Sequence, residues 1–361
     1  MRFNVLNWNI GGAKYLETKT KAERAKVRTE LNEALNQLVK RHKPQPDVVT
    51  LQEIVRYREP SDEQIADLID PIEGYDYCPV TLIDTELLSS QAKWNKVKAD
   101  SDWNPNTFFA QGNAFLFKKT APRFPVWDLS NLSKKSQVNS ERSFIERVSL
   151  ESGLYFGDRN TEPRAALIVH LIYDPLIETD KPVQTRRPLD IFVVNLHLTT
   201  LMMEREGIPE IDEQASRLRE AQLTIVFNGI VSRYNSWKQQ RYPQRGVLRT
   251  PEPWEAFQRH APVWILAGDF NISPESDEYA HIRQKNFIDT VPQKGNGTKA
   301  KGVGNPATLT LDYVFAGPKF ISLDPFIEER GLKDNAVDHN VFASDHYPMF
   351  ASIPLDVLAT A

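Results

Sequence analysis

A chain of 361 residues, 25% charged and 40% hydrophobic, has ordinary globular composition and enough length to bury a sizeable core in one large domain or two. Its 44 basic and 48 acidic side chains leave a formal charge of −4, so no global field draws in a polyanion, and affinity for nucleic acid has to come from local basic patches. The single cysteine, Cys78, excludes an internal disulfide and a cysteine-based zinc site.

Phe3 to Trp8 alternates with the period of a strand and stops at Gly11-Gly12. A first strand this close to the start leaves no room for a charged segment followed by an apolar one, as in a secretory leader. No apolar run approaches the roughly 20 residues that span a bilayer. The expectation is a cytoplasmic protein without stable membrane insertion. From Thr20 to His42, Ala22, Ala25, Leu31, Ala34, Leu35, Leu38 and Val39 recur near a helical period among many charges, and Pro44 and Pro46 stop the helix. Asp47 to Gln52 reads as a second strand. Strand, helix and strand in this order predict a parallel crossover that brings Asn9 and Glu53 to one sheet edge.

Residues 59–110 read as an insertion around the core, with 59–76 acidic and helical in tone and 91–106 polar, leading into a strand at 113–117. Ala165–Leu171 and Leu189–His197 read as neighbouring strands joined by the polar segment 173–188, and Gln214–Tyr234 as a second amphipathic helix. Val263–Ala267 is a buried strand aimed at Gly268-Asp269. With no internal repeat or heptad, these elements predict one layered α/β domain over 1–361, with insertions near 59–110, 173–188 and 231–260.

Polar groups gather at the ends of these apolar runs. In Gly268-Asp269-Phe270-Asn271 an acid able to hold a water stands beside an amide able to donate to a phosphate oxygen, with both side chains expected on one side by alternation. Asn9 and Glu53 offer the hard oxygen ligands that Mg²⁺ prefers. Asp345 reads as a metal ligand or as a carboxylate partner, and His346 as a contact to phosphate. Asp312, ending the alternating run from Ala307, is the candidate acid that would hold the His346 imidazole cationic near neutrality. His197 ends a very apolar strand with Asn195 on the same face, and Arg164 precedes another as a possible phosphate clamp. Taken singly, each has an ordinary structural reading, such as a strand-end turn, a solvated acid or a core histidine.

The ordered set Trp8-Asn9, Leu51-Gln52-Glu53, Arg164, Asn195-Leu196-His197-Leu198, Gly268-Asp269-Phe270-Asn271, Leu311-Asp312-Tyr313 and Ser344-Asp345-His346 resembles the endonuclease/exonuclease/phosphatase superfamily. That group includes pancreatic-type deoxyribonucleases, exonuclease III-type repair nucleases, neutral sphingomyelinases and inositol-polyphosphate 5-phosphatases. The resemblance implies a four-layer α/β/β/α sandwich, two packed mixed or antiparallel sheets flanked by helices, with an Mg²⁺-dependent phosphoesterase site at one sheet edge and Mn²⁺ as a substitute metal. It implies that Glu53 is the principal metal ligand with Asn9 beside it and Asp345 near. Asp269 would orient or deprotonate the attacking water, Asn271 bind a phosphate oxygen, and His346 stabilise the transition state with Asp312 behind it. His197 and Arg164 match phosphate-contacting positions of deoxyribonuclease-like members, and Asn195 is a candidate substrate contact.

Departures narrow the substrate. Gly11-Gly12-Ala13-Lys14 differs from the Asn-Gly-Leu-Arg continuation of repair nucleases, and Ile272-Ser273 and Leu309-Thr310-Leu311 differ from the 5-phosphatase signatures. Residues 231–260 interleave six basic side chains, Arg241 and Arg245 among them, with five aromatics and two acids, a local charge of +4 suited to phosphates and unpaired bases. A solvated insertion whose aromatics pack on the core fits the same composition. The loop Gln293–Gly304 adds Lys294, Lys299 and Lys301 before Asp312. The leading expectation is a nuclease with nucleic acid as partner. A phosphatase or lipid phosphodiesterase of the same superfamily is the alternative, and a binding module with a dead site is the third reading. The sequence specifies no protein partner.

Overall fold

The computed structural model describes residues 2–84, 99–119, 145–150, 164–173, 189–199, 209–241, 263–291, 297–300, 307–317, 335–341 and 343–354. β1 (Arg2–Asn9) leads through a short helix α1 (Gly12–Leu16) into α2 (Lys21–Arg41). Thr20 starts α2 with a capping box: its hydroxyl accepts the Glu23 N–H while the Glu23 carboxylate accepts the Thr20 N–H. Leu31, Leu35, Leu38 and Val39 form the buried stripe that the periodicity predicts. The chain returns in β2 (Val48–Arg58), parallel to β1, with Asn9 opposite Gln52. The expected crossover is present. β2 does not stop at Gln52, however; it continues to Arg58 through a register shift between Leu51 and Ile54, which leaves Glu53 on a bulge.

The segment 59–76 forms no helix. β3 (Ala66–Asp67) pairs with Arg56 and Tyr57, and β4 (Tyr75–Asp84) lies along β5 (Phe108–Lys118) as an outer strand of the first sheet. Tertiary contacts explain the difference. Asn32 of α2 donates to the Leu68 carbonyl and accepts the Asp70 N–H, and Arg56 pairs with Asp67 at 2.7 Å, so the acidic residues serve an extended backbone.

A second sheet contains β6 (Ile145–Leu150), β7 (Arg164–Tyr173), β8 (Leu189–His197), β9 (Val263–Asp269), β10 (Ile288–Asp289) and β13 (Asp312–Gly317), in the order β10-β13-β9-β8-β7-β6. β7 and β8 are antiparallel, as expected. β8 and β9 are parallel, with α3 (Pro209–Arg241) between them in the chain, longer at both ends than its predicted span. Helix α4 (Asp277–Gln284) follows β9, capped by Ser276. β11 (Lys299–Ala300) and β12 (Ala307–Leu309) make a small separate ribbon. β14 (Ala336–Val337) and β15 (Met349–Pro354) complete the first sheet, β15 antiparallel to β1.

Side-chain alternation sorts the core into layers. Ala165, Leu167, Val169, Ile191, Val193, Ile265 and Ala267 join the first sheet and α2 in one cluster, whereas Ala166, Ile168, Phe192, Val194, Trp264 and Leu266 pack against Leu223, Val226, Ile230 and Ile282 of α3 and α4. The result is helix, sheet, sheet, helix: the four-layer α/β/β/α sandwich. At the start of the basic segment 231–260, Arg233 pairs with Glu146 of β6 at 3.2 Å and Tyr234 is buried, so these two serve packing. Residues 242–260 and 174–188 lie outside the described residues. Among the other histidines, His42 stacks on Phe350, His170 stacks on Phe192, and His339 Nε2 lies 2.8 Å from the Gly297 carbonyl. No helix among the described residues is long and apolar enough to cross a membrane.

Candidate active site

Register brings the polar strand ends together. His197, Asp269 and Asp312 lie side by side on β8, β9 and β13, all continuing the face that looks toward the first sheet. Asn9 ends β1 opposite them and donates from Nδ2 to Asp269 Oδ2 at 3.0 Å, joining the two sheets at the site. The same amide nitrogen is 3.3 Å from Glu53 Oε1, and Asn9 Oδ1 accepts the Gly11 N–H at 3.0 Å. Two glycines permit the approach. A Cβ on Gly268 would collide with the Leu196 carbonyl, and one on Gly12 with the Glu53 carbonyl.

Asp269 is the hub. Its Oδ1 accepts the Asn271 N–H at 3.0 Å, and its Oδ2 lies 3.6 Å from His197 Nε2 and 3.7 Å from His346 Nε2. His346 Nδ1 meets Asp312 Oδ2 at 2.8 Å, the pairing expected from sequence. Trp8 Nε1 donates to the His346 carbonyl at 2.9 Å, while Ser344 Oγ accepts the His346 N–H and donates to the Asn9 carbonyl at 3.0 Å. The Ser-Asp-His motif is thereby fixed to the end of β1.

Three non-glycine residues have positive φ among the described residues, and two of them, Glu53 (56°) and Asn271 (52°), belong to the site. Such backbone costs on the order of 1–3 kcal/mol and persists where the surroundings enforce it. For Asn271 this corrects the expected alternation. The chain turns back at Phe270, so that the Asn271 N–H reaches Asp269 and its Nδ2 donates to the Leu198 carbonyl at 3.2 Å.

Burial and charge set the protonation. Burial, and then the Asp312 carboxylate, push the Asp269 carboxyl up to about 7, against the pull of His346, Lys299 and Asn9. Burial alone would lower His346, but Asp312 and Asp269 outweigh it and raise the imidazole to about 9, cationic at neutrality. Burial works against ionisation of Asp345 too, yet His346, Lys14 and Lys299 together hold it below the ordinary carboxylate range.

The endonuclease/exonuclease/phosphatase family model matches residues 6–346, so it takes in every residue of this constellation. The chain belongs to that family. It is therefore a hydrolytic phosphoesterase built on the family's sandwich. Among solved structures, it is similar to the human Nocturnin catalytic domain (15% identity over 97% of this chain and 93% of that one, TM-score 0.43). It is also similar to a mannosyl-6-phosphatase from Bacteroides thetaiotaomicron (13%, 96% and 98%, 0.44) and to sphingomyelinase C from Streptomyces griseocarneus (14%, 98% and 100%, 0.45). Comparison with curated protein sequences returns no match.

The donor set of this family member fits a hard divalent cation. Asp269 and Asp312 each place a carboxylate oxygen in one group whose atoms lie within 4.8 Å of one another, beside the His346 imidazole that Asp312 engages, and Asp312 Oδ1 is buried without a hydrogen-bond partner. Glu53 Oε1 brings a further oxygen to the same spot, 3.3 Å from the Asn9 Nδ2 that also holds Asp269. Asp345 stands next to them in the Ser-Asp-His motif, with His346 and Lys299 acting on its charge. Its carboxylate is engaged by the half-exposed Lys14 ammonium, a residue the sequence reading noted only as a departure from the repair-nuclease pattern.

The substrate-binding expectations divide. Lys299 is at the site: it bridges His346 in antiparallel fashion, and its charge acts on Asp269, His346 and Asp345. Asn195 is engaged in the fold instead. It is fully buried, accepts from Gln52 Nε2 at 2.8 Å and donates to the Leu51 and Ala114 carbonyls, so its amide joins the two sheets beneath the site. Arg164 opens β7 at the same sheet edge as His197. It pairs with Leu150, whose side chain belongs to the helix-facing cluster, so Arg164 starts from the outer side of the sheet. Arg241 ends α3, its side chain outside what is described, and Arg245 and Lys301 lie outside the described residues.

Proposed function

We propose that the chain is an Mg²⁺-dependent nuclease that hydrolyses DNA or RNA phosphodiesters by in-line attack of water, leaving 5′-phosphate ends. The observation that carries the chemistry is Asp269 Oδ2, held by Asn9 at 3.0 Å and set 3.7 Å from an imidazole that Asp312 keeps cationic. A carboxylate with a pKa of about 7 is matched to accept a proton from water at neutral pH. The water oxygen bonds to phosphorus as its proton passes to Asp269. The bond to the leaving oxygen breaks, and a solvent proton completes the alcohol. His346 stabilises the negative charge that develops on the phosphoryl oxygens, while Asn271 and His197 orient them. Glu53 and Asn9, with Asp345 near, would hold Mg²⁺, which supplies charge neutralisation and a more acidic water; Mn²⁺ would serve in its place.

Support for a polymeric nucleic acid comes from the basic residues of segment 231–260 other than the ion-paired Arg233, and from Lys299, which bridges to the His346 backbone. The test is a panel with Mg²⁺: nicked and single-stranded DNA and RNA beside phosphoinositides and sphingomyelin. Strand cleavage is expected. Lipid turnover without any strand cleavage would transfer the protein to the lipid phosphodiesterase reading.

A further inference from the structure

His346 and Asp312 meet at 2.8 Å, yet they come from parts of the fold that do not pair with each other. Asp312 begins β13 of the second sheet, and His346 precedes β15 of the first. The strip Gly297–Ala300 lies between them. Thr298, fully buried, anchors to β12 by donating its N–H to the Leu309 carbonyl at 2.7 Å. Its hydroxyl oxygen accepts the N–H groups of both Leu311 and Asp312 at 3.0 Å. Its carbonyl accepts the Tyr347 N–H at 2.7 Å, and two residues on, Ala300 N–H donates to the Asp345 carbonyl at 2.7 Å.

We propose that Thr298 is a positioning residue for the His346–Asp312 pair. Its hydroxyl fixes the backbone at Asp312, and its carbonyl fixes the backbone immediately after His346, so one residue sets the spacing across which the imidazole and carboxylate meet. The inference rests on the hydrolytic reading of the site and not on nucleic acid as the substrate. Valine in place of Thr298 keeps the shape but leaves two buried N–H groups without their acceptor. Asp312 then shifts to find another, and a displacement of about an ångström at such a site costs on the order of 100-fold in rate. Serine keeps the oxygen.

The test compares Thr298→Val, Thr298→Ser and Thr298→Ala with Mg²⁺ and bis(p-nitrophenyl) phosphate, a diester with one phosphate, alongside the downfield imidazole N–H resonance of His346 in metal-free protein. Thr298→Val should lower kcat roughly 10- to 100-fold with KM within about threefold, and move or broaden the resonance. Thr298→Ser should stay within about threefold in kcat and keep the resonance. Wild-type kcat and an unchanged resonance in Thr298→Val would overturn the proposal, as would equal losses in the valine and serine variants. Should the valine variant not fold, the serine-to-alanine kcat ratio decides: about tenfold or more supports it, and a ratio near one refutes it. A wild type that hydrolyses neither the chromogenic diester nor nucleic acid would count against the hydrolytic reading, whereas the resonance comparison judges Thr298 by itself.

Discussion

Gln52 Nε2 donates to Asn195 Oδ1 at 2.8 Å, and this one hydrogen bond crosses from the first sheet to the second directly beneath the catalytic edge. Both residues are fully buried. Around them Asn7 Oδ1 accepts from Gln52 and Thr50, and Asn195 donates to the Leu51 and Ala114 carbonyls. A polar network in that position fixes how the sheets register, and therefore where Asn9 meets Asp269.

Replacing Asn195 with leucine should be costly, because it strands Gln52 and two carbonyls in the interior. Each unsatisfied buried group costs about 1–3 kcal/mol, so a loss on the order of 2–5 kcal/mol is expected, read as a lower urea midpoint with unchanged slope. A midpoint equal to that of the wild type would show that the network does not hold the sheets.

The pH profile follows from the two shifted groups. Asp269 acts as its anion, so kcat/KM should rise as pH increases through about 7; His346 acts as its cation, so activity should fall as pH increases through about 9. The Asp312 charge raises both values. Asp312→Asn should therefore lower the rate and move both limbs of the bell toward acid, and a profile whose limbs stay in place would remove Asp312 from its role.

Metal dependence can be read without turnover. Mg²⁺ should raise the thermal midpoint of the EDTA-treated protein, since a ligand that binds only the folded state stabilises it by mass action. Glu53→Gln should abolish most of that shift and raise the Mg²⁺ needed for activity by more than the roughly tenfold that loss of a group behind a ligand already costs. An unchanged midpoint with and without Mg²⁺ would place the ion elsewhere. Activity that survives chelation would remove it from the chemistry.

Much of this site was legible because its residues sit at the ends of strands with strong periodicity. Asn9 and Glu53 follow from a strand, a helix and a strand, and the Asp312–His346 pairing from an acid and an imidazole in two short motifs. What was not legible depends on contacts distant in sequence. The acidic residues near 59–76 gave no sign that Asn32 and Arg56 would hold them extended. Asn195 reads as a substrate contact beside His197, because nothing local announces that Gln52, 143 positions away, meets it. The turn at Asn271 was hidden for the opposite reason: a continued strand fits its sequence equally well, and only the backbone hydrogen bond to Asp269 decides. Thr298 carries no motif at all, and its importance is in partners at Asp312 and Tyr347.

The most direct measurement is cleavage of 5′-labelled single-stranded DNA and RNA in Mg²⁺ by the wild type and by Asp269→Asn, with thermal midpoints taken on both. Wild-type protein should cut at least one of the two to products with 5′-phosphate ends. The asparagine variant should be slower by about 100-fold or more at a similar midpoint, since it keeps the shape and loses the base. Comparable cleavage by both proteins would contradict the role given to Asp269, and with it the mechanism built around that carboxylate.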